Sequence, residues 1–271
     1  GELTSRAYEH LSIEHGLRRA LAEDELVLHY QPQIALPSRR IVGVEALVRW
    51  QHPDRGLLGA EEFIRIAEET GLIAKIDEWA LRTACTQSAA WKEAGMGSIR
   101  MAVNLSSRHV LRDSVAEMVA GVLEQCGMDP AQVEMEITES VLQTGETSIR
   151  ELQSLKELGI GLAIDDFGTG YSSLASLKRL PIDHLKIDRT FITGIPSDAN
   201  DVVITKAVTA MAQNLGLRLI AEGVETDEQL NFLEKLGCDE VQGNFIAAAA
   251  PADEIWALMN QENAAVLDEP E

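Results

Sequence analysis

The chain has 271 residues, 45% of them hydrophobic, and its 23 basic against 44 acidic side chains give a formal charge of −21. That length suits one large domain or two small ones, and an α/β barrel of about 200–250 residues fits as a single unit. The charge argues against binding a DNA or RNA duplex through a basic patch; an anionic ligand would have to be met by cations or by a few placed Arg and Lys.

Residues 1–23 are charged and helical in pattern and stand apart from the rhythm that follows, as expected of a linker helix from an upstream domain. Leu26–Gln31 and Ile41–Trp50 read as strands joined by a turn too short for a crossover, so they should pair antiparallel. Further strand-like runs follow at Ile99–Asn104, Val133–Ile137, Ile160–Asp165, His184–Asp188, Arg218–Glu222 and Asp239–Gln242. Amphipathic stretches lie between most of them: Ile76–Glu93, Ser114–Cys126, Thr147–Leu158, Asp201–Leu215 and Asp227–Leu236. Gly127, Gly159, Gly216 and Gly237 end helices as left-handed caps. Eight apolar strands alternating with helices imply a closed (β/α)8 barrel, a TIM barrel modified by one antiparallel strand. An open doubly wound sheet is the runner-up, but no GxGxxG follows the first strand. Residues 24–262 form this domain, and 263–271 read as a flexible acidic tail.

Cys85, Cys126 and Cys238 are far apart and in no Cys-x-x-Cys pair, which suits a reducing, cytosolic setting. No apolar run reaches the ~20 residues of a membrane span. With no signal peptide and a first residue of Gly1, the chain is expected to be a piece of something longer.

Polar residues recur at the C-terminal ends of successive strands: Glu45, Asn104, Glu136, Asp165 with Asp166, Lys186, Glu222 and Gln242. In a barrel those ends converge on one rim, where active sites are built. Five acids facing one bowl repel unless cations hold them, and carboxylates with an amide oxygen suit Mg2+ or Mn2+ rather than zinc. Asp165 and Asp166 close an apolar run in GLAIDDFGTGYSS; the expectation is that the strand ends at Asp165 and the turning backbone swings both carboxylates inward. Each residue alone also has a plain structural reading. Glu45 could be a salt-bridged strand residue, Asn104 a turn cap, the two aspartates an N-cap pair, Lys186 a snorkelling side chain, and Arg49–Trp50 packing. His52 and His109 read as surface or turn residues rather than ligands. The convergence of the polar set at one rim favours a composite site.

The segments VEALVRWQHP, Asn104-Leu105-Ser106, Glu136–Ser140, DDFGTGYSSL, Lys186–Asp188, AEGVET at Ala221–Thr226 and Gln242-Gly243 together resemble the EAL domain family, over about Leu21 to Met259. The resemblance implies a phosphodiesterase acting on the bacterial messenger cyclic diguanylate (cyclic di-GMP), using two Mg2+ or Mn2+ ions and giving linear pGpG. By resemblance, Glu45, Asn104, Glu136 and Asp165 hold the first metal, Asp165 bridges to the second, Asp166 serves the second, and Asp188 lies near it. Lys186 and Glu222 correspond to residues that hold and help deprotonate the attacking water. Gln31 and Arg49 match substrate contacts, and Gln242 contributes to the same rim. Glu139 matches a glutamate that steadies the loop after the fifth strand. That loop, Gly168–Ser173 with Thr169 and Gly170, is expected to be mobile and linked to a homodimer contact through the following helix. Ca2+ is expected to be inhibitory.

The resemblance further implies an upstream sensor or GGDEF-type domain and a cytoplasmic placement, with membrane anchoring of the full-length protein left open. Asn244 and Ala247–Ala250 replace an aromatic and an Arg-Pro usual in the family, which bears on substrate affinity. Asp166-Phe167-Gly168 also fits a kinase motif, but no Gly-rich ATP loop or HRD accompanies it. Two other functions remain to be weighed: a catalytically silent module that binds cyclic di-GMP as a receptor, and an unrelated metal-dependent barrel lyase.

Overall fold

Alternating apolar and polar positions build nine strands in a computed structural model that describes residues 2–111, 114–143, 145–169 and 174–267. They are β1 Leu26–Ala35, β2 Ile41–His52, β3 Gly56–Gly59, β4 Arg100–Asn104, β5 Val133–Thr138, β6 Gly161–Phe167, β7 His184–Ile187, β8 Arg218–Ala221 and β9 Glu240–Gln242. The strand order is β1-β9-β8-β7-β6-β5-β4-β2-β3, and β1 also pairs with β2, which closes eight strands into a barrel. β1 is antiparallel to both its neighbours, whereas β2, β4–β9 run parallel. The modified TIM barrel expected from the sequence is therefore the observed fold. β3, which the sequence reading did not separate, folds back on the end of β2 as an external hairpin.

Side chains alternate across each strand, and here the two faces differ in kind. Outward-facing residues such as Val44, Met101, Val103, Met135, Leu162, Leu185, Leu219 and Val241 are buried and apolar. They pack beneath the surrounding helices in one continuous core. The inward residues of the same strands include Gln33, Glu45, Arg100, Glu134, Glu136, Asp165, His184, Lys186, Glu240 and Gln242, so the lumen is lined by polar groups. Each such group needs a partner inside the barrel to offset its lost hydration.

The helices follow the expected order, with Gly127, Gly216 and Gly237 as left-handed C-caps. The opening helix, Glu2–Ala20, is more than a free connector in its second half: Ile13, Leu17 and Ala20 are buried against Trp50, Phe63, Ile66 and Ile73. The last helix, Ala252–Leu267, runs past residue 262, where the domain was expected to end. Ile255 and Met259, one turn apart and both buried, anchor it, and Asp253 and Glu254 sit in its first turn, where acids favour a helix. Residues 268–271 of the expected tail lie outside the described residues.

One expectation is corrected by the sheet. β6 does not end at Asp165 but continues through Phe167. Its pairing with β7 runs Ala163–His184, Ile164–Leu185, then Phe167–Ile187, so two residues of β6 stand opposite Lys186 alone. Asp166 takes the left-handed φ of 55°, as the extra residue of a bulge does. Adjacent strand residues normally face opposite ways. The bulge, rather than a strand end, gives both aspartates access to the rim.

Candidate active site

Asn104, Glu136, Asp165 and Gln242 stand at or near the C-terminal ends of β4, β5, β6 and β9. Glu45 joins them at one end of the lumen not from the C-terminal end of its strand, as the sequence suggested, but from the fifth residue of the longer β2, which runs on past its pairing with β4. Lys186 lies at their centre. The Lys186 side chain has no solvent exposure, and its Nζ lies 2.7 Å from Glu136, 2.6 Å from Glu222, 3.3 Å from Glu45 and 3.4 Å from Asp165. Burial alone would lower its pKa, but the carboxylates around it, Asp165 foremost, raise it well above the usual value. It is therefore a fixed cation, and one cation is too little for the acids present.

The acids record that deficit. Burial and then the charge of Glu45 push Glu136 well up; burial likewise raises Asp165. Glu222 is pushed up to about 8, by burial first and then by Asp165 and Glu45, against the pull of Lys186. Asp166 rises to about 6 through burial and the neighbouring Asp165 and Asp188. Glu45 is the exception: burial would raise it, yet Lys186 and the donors Gln242 and Asn104 hold it low. Gln242 Nε2 donates to Glu45 Oε2 at 2.6 Å, and Asn104 Nδ2 to Glu45 Oε1 at 2.8 Å.

Divalent cations fit this arrangement. Oxygens of Asp165, Asp166 and Glu222 come within 4.8 Å of one another, and both Glu136 oxygens are buried without a donor in hydrogen-bond geometry, between the Lys186 ammonium and the Glu45 carboxylate. The donor set is carboxylate and amide oxygen, which suits hard cations such as Mg2+ or Mn2+.

A cleft of about 620 Å3 opens on these groups, lined by Gln31, Glu45, Asp165, Asp166, Asp188, Glu222 and Gln242 among others. Gln31 Nε2 donates to the Ala247 carbonyl at 3.1 Å, and its Oε1 accepts from Gln242 at 2.9 Å. Asp188 lines the wall and caps the short helix Arg189–Ile192, accepting from Thr190 N at 2.9 Å. Arg49 is set apart from the others: its Nη1 donates to the Val48 carbonyl, and it does not line the cleft. Glu139, buried just after β5, accepts from Gly168 N at 2.9 Å and so ties down the start of the loop after β6. Gly168 has φ of 102°, and a Cβ there would stand 2.7 Å from the Phe191 ring, so both backbone and space call for glycine. Thr169 closes the turn by donating its hydroxyl to the Asp166 carbonyl at 2.9 Å. Gly170 and the rest of Gly168–Ser173 lie outside the described residues.

Two features escaped the sequence reading. Arg189 adds a positive side chain to the cleft wall; its place directly after Asp188 is the only local hint. His109 is buried rather than at the surface, with Nδ1 2.9 Å from Asp77 Oδ2. Asp77 also accepts from Ser106 N at 3.2 Å, while the Ser106 hydroxyl donates to Glu68 at 2.7 Å, so these residues clamp the turn after Asn104. Asp77 and His109 are too far apart in sequence for any local pattern to join them.

The profile of the EAL domain family matches residues 14–249. Among curated relatives, the bifunctional diguanylate cyclase/cyclic di-GMP phosphodiesterase MucR of Pseudomonas aeruginosa is 42% identical over 94% of this chain and 37% of its own length. The cyclic di-GMP phosphodiesterase NbdA of the same organism is 46% identical over 92% of this chain and 32% of its own. The chain thus spans about a third of the length of these relatives. Among solved structures, a MucR phosphodiesterase–c-di-GMP complex superposes with a TM-score of 0.86 at 42% identity, covering 90% of this chain and 99% of that one. By family match, identity and fold together, the chain belongs to the EAL domain family.

Proposed function

We propose that this chain is a phosphodiesterase that hydrolyses one phosphodiester of cyclic di-GMP to give linear pGpG. The observation that carries the reading is the bowl of five carboxylates at one rim, four of them within 3.4 Å of the buried Lys186 ammonium, opening on a cleft in a chain of this family. Its relatives NbdA and MucR bear the name of that activity, and the MucR structure is a complex with c-di-GMP.

Glu45, Asn104, Glu136, Asp165 and Asp166 would hold two divalent cations, with Asp188 near the second. Bound there, Mg2+ or Mn2+ would lower the pKa of a water and stabilise charge building at phosphorus. The chain's own part is to orient that water and take its proton. Glu222, pushed up to about 8 and held 2.6 Å from Lys186, is suited to exchange a proton near neutral pH. Lys186 keeps a positive charge close to Glu222, Asp165 and Glu45, which limits their repulsion as an anionic substrate enters. Gln31, with one N–H left beyond its bond to the Ala247 carbonyl, and Arg189 on the wall offer donors to it, while Gln242 lines the floor with its N–H bonds already given to Gln31 and Glu45. Arg49 stays outside the cleft lining, on the Val48 carbonyl. Ca2+, with longer and looser oxygen coordination, is expected to inhibit. By the same family reasoning we infer a homodimer and an upstream sensor or GGDEF-type domain; no described helix is long and apolar enough to cross a membrane.

Incubation with cyclic di-GMP and Mg2+ or Mn2+, with chromatography of the products, tests this. Appearance of pGpG is expected. Tight binding without turnover would overturn it in favour of a receptor, a reading that nothing in the ligand set favours.

A further inference from the structure

Below the rim, the lumen holds a second buried polar cluster that the proposed chemistry does not use. Arg100, on β4, crosses the barrel to Glu240 on β9, with one contact through Nη1 at 3.2 Å and a second through Nη2. Its Nε lies 3.2 Å from Glu134 Oε1, and Glu134 in turn meets His184. Arg100 Nη2 also donates to Gln33 Oε1 at 2.9 Å, Gln33 Nε2 donates to Gln242 Oε1 at 2.9 Å, and Gln242 Nε2 donates to Glu45. Three hydrogen bonds therefore join the lower cluster to the catalytic rim.

The chemistry of the first group dictates the direction of all three. A guanidinium has donors only. Gln33 must turn its carbonyl oxygen to Arg100, which leaves its amino group facing Gln242. Gln242 must then turn its own carbonyl down and both its N–H bonds up. On the other side Gln31 is held the same way: the Ala247 carbonyl can only accept, so Gln31 offers its oxygen to Gln242. Gln242 is thereby fully paired, with N–H bonds to Gln31 and Glu45 and its oxygen on Gln33. A reversed amide would set oxygen against the Glu45 carboxylate and nitrogen against the Gln33 amino group. Gly43, opposite both Gln33 and Arg100 in the sheet, makes the contact possible: a Cβ there would stand 3.0 Å from Gln33 Oε1 and 3.2 Å from Arg100 Cβ.

We propose that Arg100 and Gln33 are positioning residues of the active site, fixing the polarity of the Gln242 amide so that it donates to Glu45. The inference rests on the functional reading above only for the roles of Glu45 and Gln242. Gln33→Glu and Gln33→Met separate it from a packing role. Glu keeps the shape and pairs more strongly with Arg100, but, having no donor, it reverses the demand on Gln242. Met removes the demand without reversing it. Calorimetric titration with Mn2+ and turnover of cyclic di-GMP are measured for both, beside the thermal midpoint. Positioning predicts that Gln33→Glu holds its thermal midpoint, loses about 10–100-fold in Mn2+ affinity and kcat, and falls well below Gln33→Met, as orienting groups around a metal site do. A packing role predicts the opposite order. Parent-like Mn2+ affinity in Gln33→Glu, or equal losses in the two variants, would overturn the proposal.

Should Gln33→Glu not fold, Arg100→Lys and Arg100→Gln decide the point. Lys remains donor-only and should keep Mn2+ affinity, Gln can present either end and should lose it, and equal affinities would overturn the relay. Absence of turnover in the parent would count against the functional reading alone, because the Mn2+ comparison still reads the relay.

Discussion

The lumen of this barrel carries two polar layers built from the same strands, two residues apart, and they handle charge in opposite ways. In the lower layer Glu134 and Glu240 face Arg100, with His184 and Arg218 at the edge, so acids and bases nearly balance. Glu134 shows the result: burial would raise it, but His184 and Arg100 outweigh burial and hold it low. In the upper layer five carboxylates share Lys186, and four of them are raised. A closed layer pairs its charges internally, whereas an unbalanced one is a standing demand for cations. That contrast locates the function more sharply than the presence of acids as such, because both layers hold buried carboxylates.

Substitutions at the rim should have the largest effect and fall on activity. Asp165→Asn is expected to lower turnover on the order of 10²–10⁴-fold and to weaken binding of both cations in a Mn2+ titration. Asp166→Asn should spare the first cation and lose mainly the second, because Asp166 reaches the rim only through its bulge. Equal loss of both sites in the two variants would break that asymmetry. In the lower layer the same kind of change should strike stability instead. Arg100→Met takes the central cation from Glu134 and Glu240, leaving them only His184 and Arg218 at the edge, and is expected to cost about 3–5 kcal/mol, read by denaturant unfolding. A fully stable variant would mean that the lower layer is not a closed balance.

The pH response sharpens the comparison further. Metal-free protein keeps protons on Asp166 to about 6 and on Glu222 to about 8, above their unfolded values. The native state then binds more protons, so stability is full at low pH and falls as pH rises through those values. Glu134 acts in the other sense: its contribution is present above its unfolded pKa and is lost as pH falls. Thermal midpoints in EDTA should therefore decline from pH 5 to 8, and Mn2+ should flatten the slope.

Glu139→Ala, which removes the acceptor for Gly168 N, should cut activity roughly 10–100-fold with little change in thermal midpoint. The smallest effect is expected at Ala248, which is exposed and does not line the cleft. Arg there should change the Michaelis constant only about two- to fivefold, as an exposed charge does. A larger drop would bring residues 247–250 into the substrate contact.

Much of the fold could be read from the chain itself. Apolar runs of strand length spaced by amphipathic helices specify an α/β barrel, and the short turn after β1 makes that strand antiparallel. The rim was legible for a related reason: carboxylates, an amide and a lysine recur at one end of strand after strand, and strand direction alone carries such residues to the same side. Side-chain alternation is local, so it survives in the sequence. What tertiary structure decided is whatever depends on closure and register. The bulge at Asp165–Asp166 is visible only against β7. The passage from Arg100 through Gln33 and Gln242 to Glu45 joins residues from four strands that meet only when the sheet closes, and Asp77 meets His109 only where helices pack. Hydrogen-bond direction across a lumen follows from which donors and acceptors end up face to face, and no local pattern contains that.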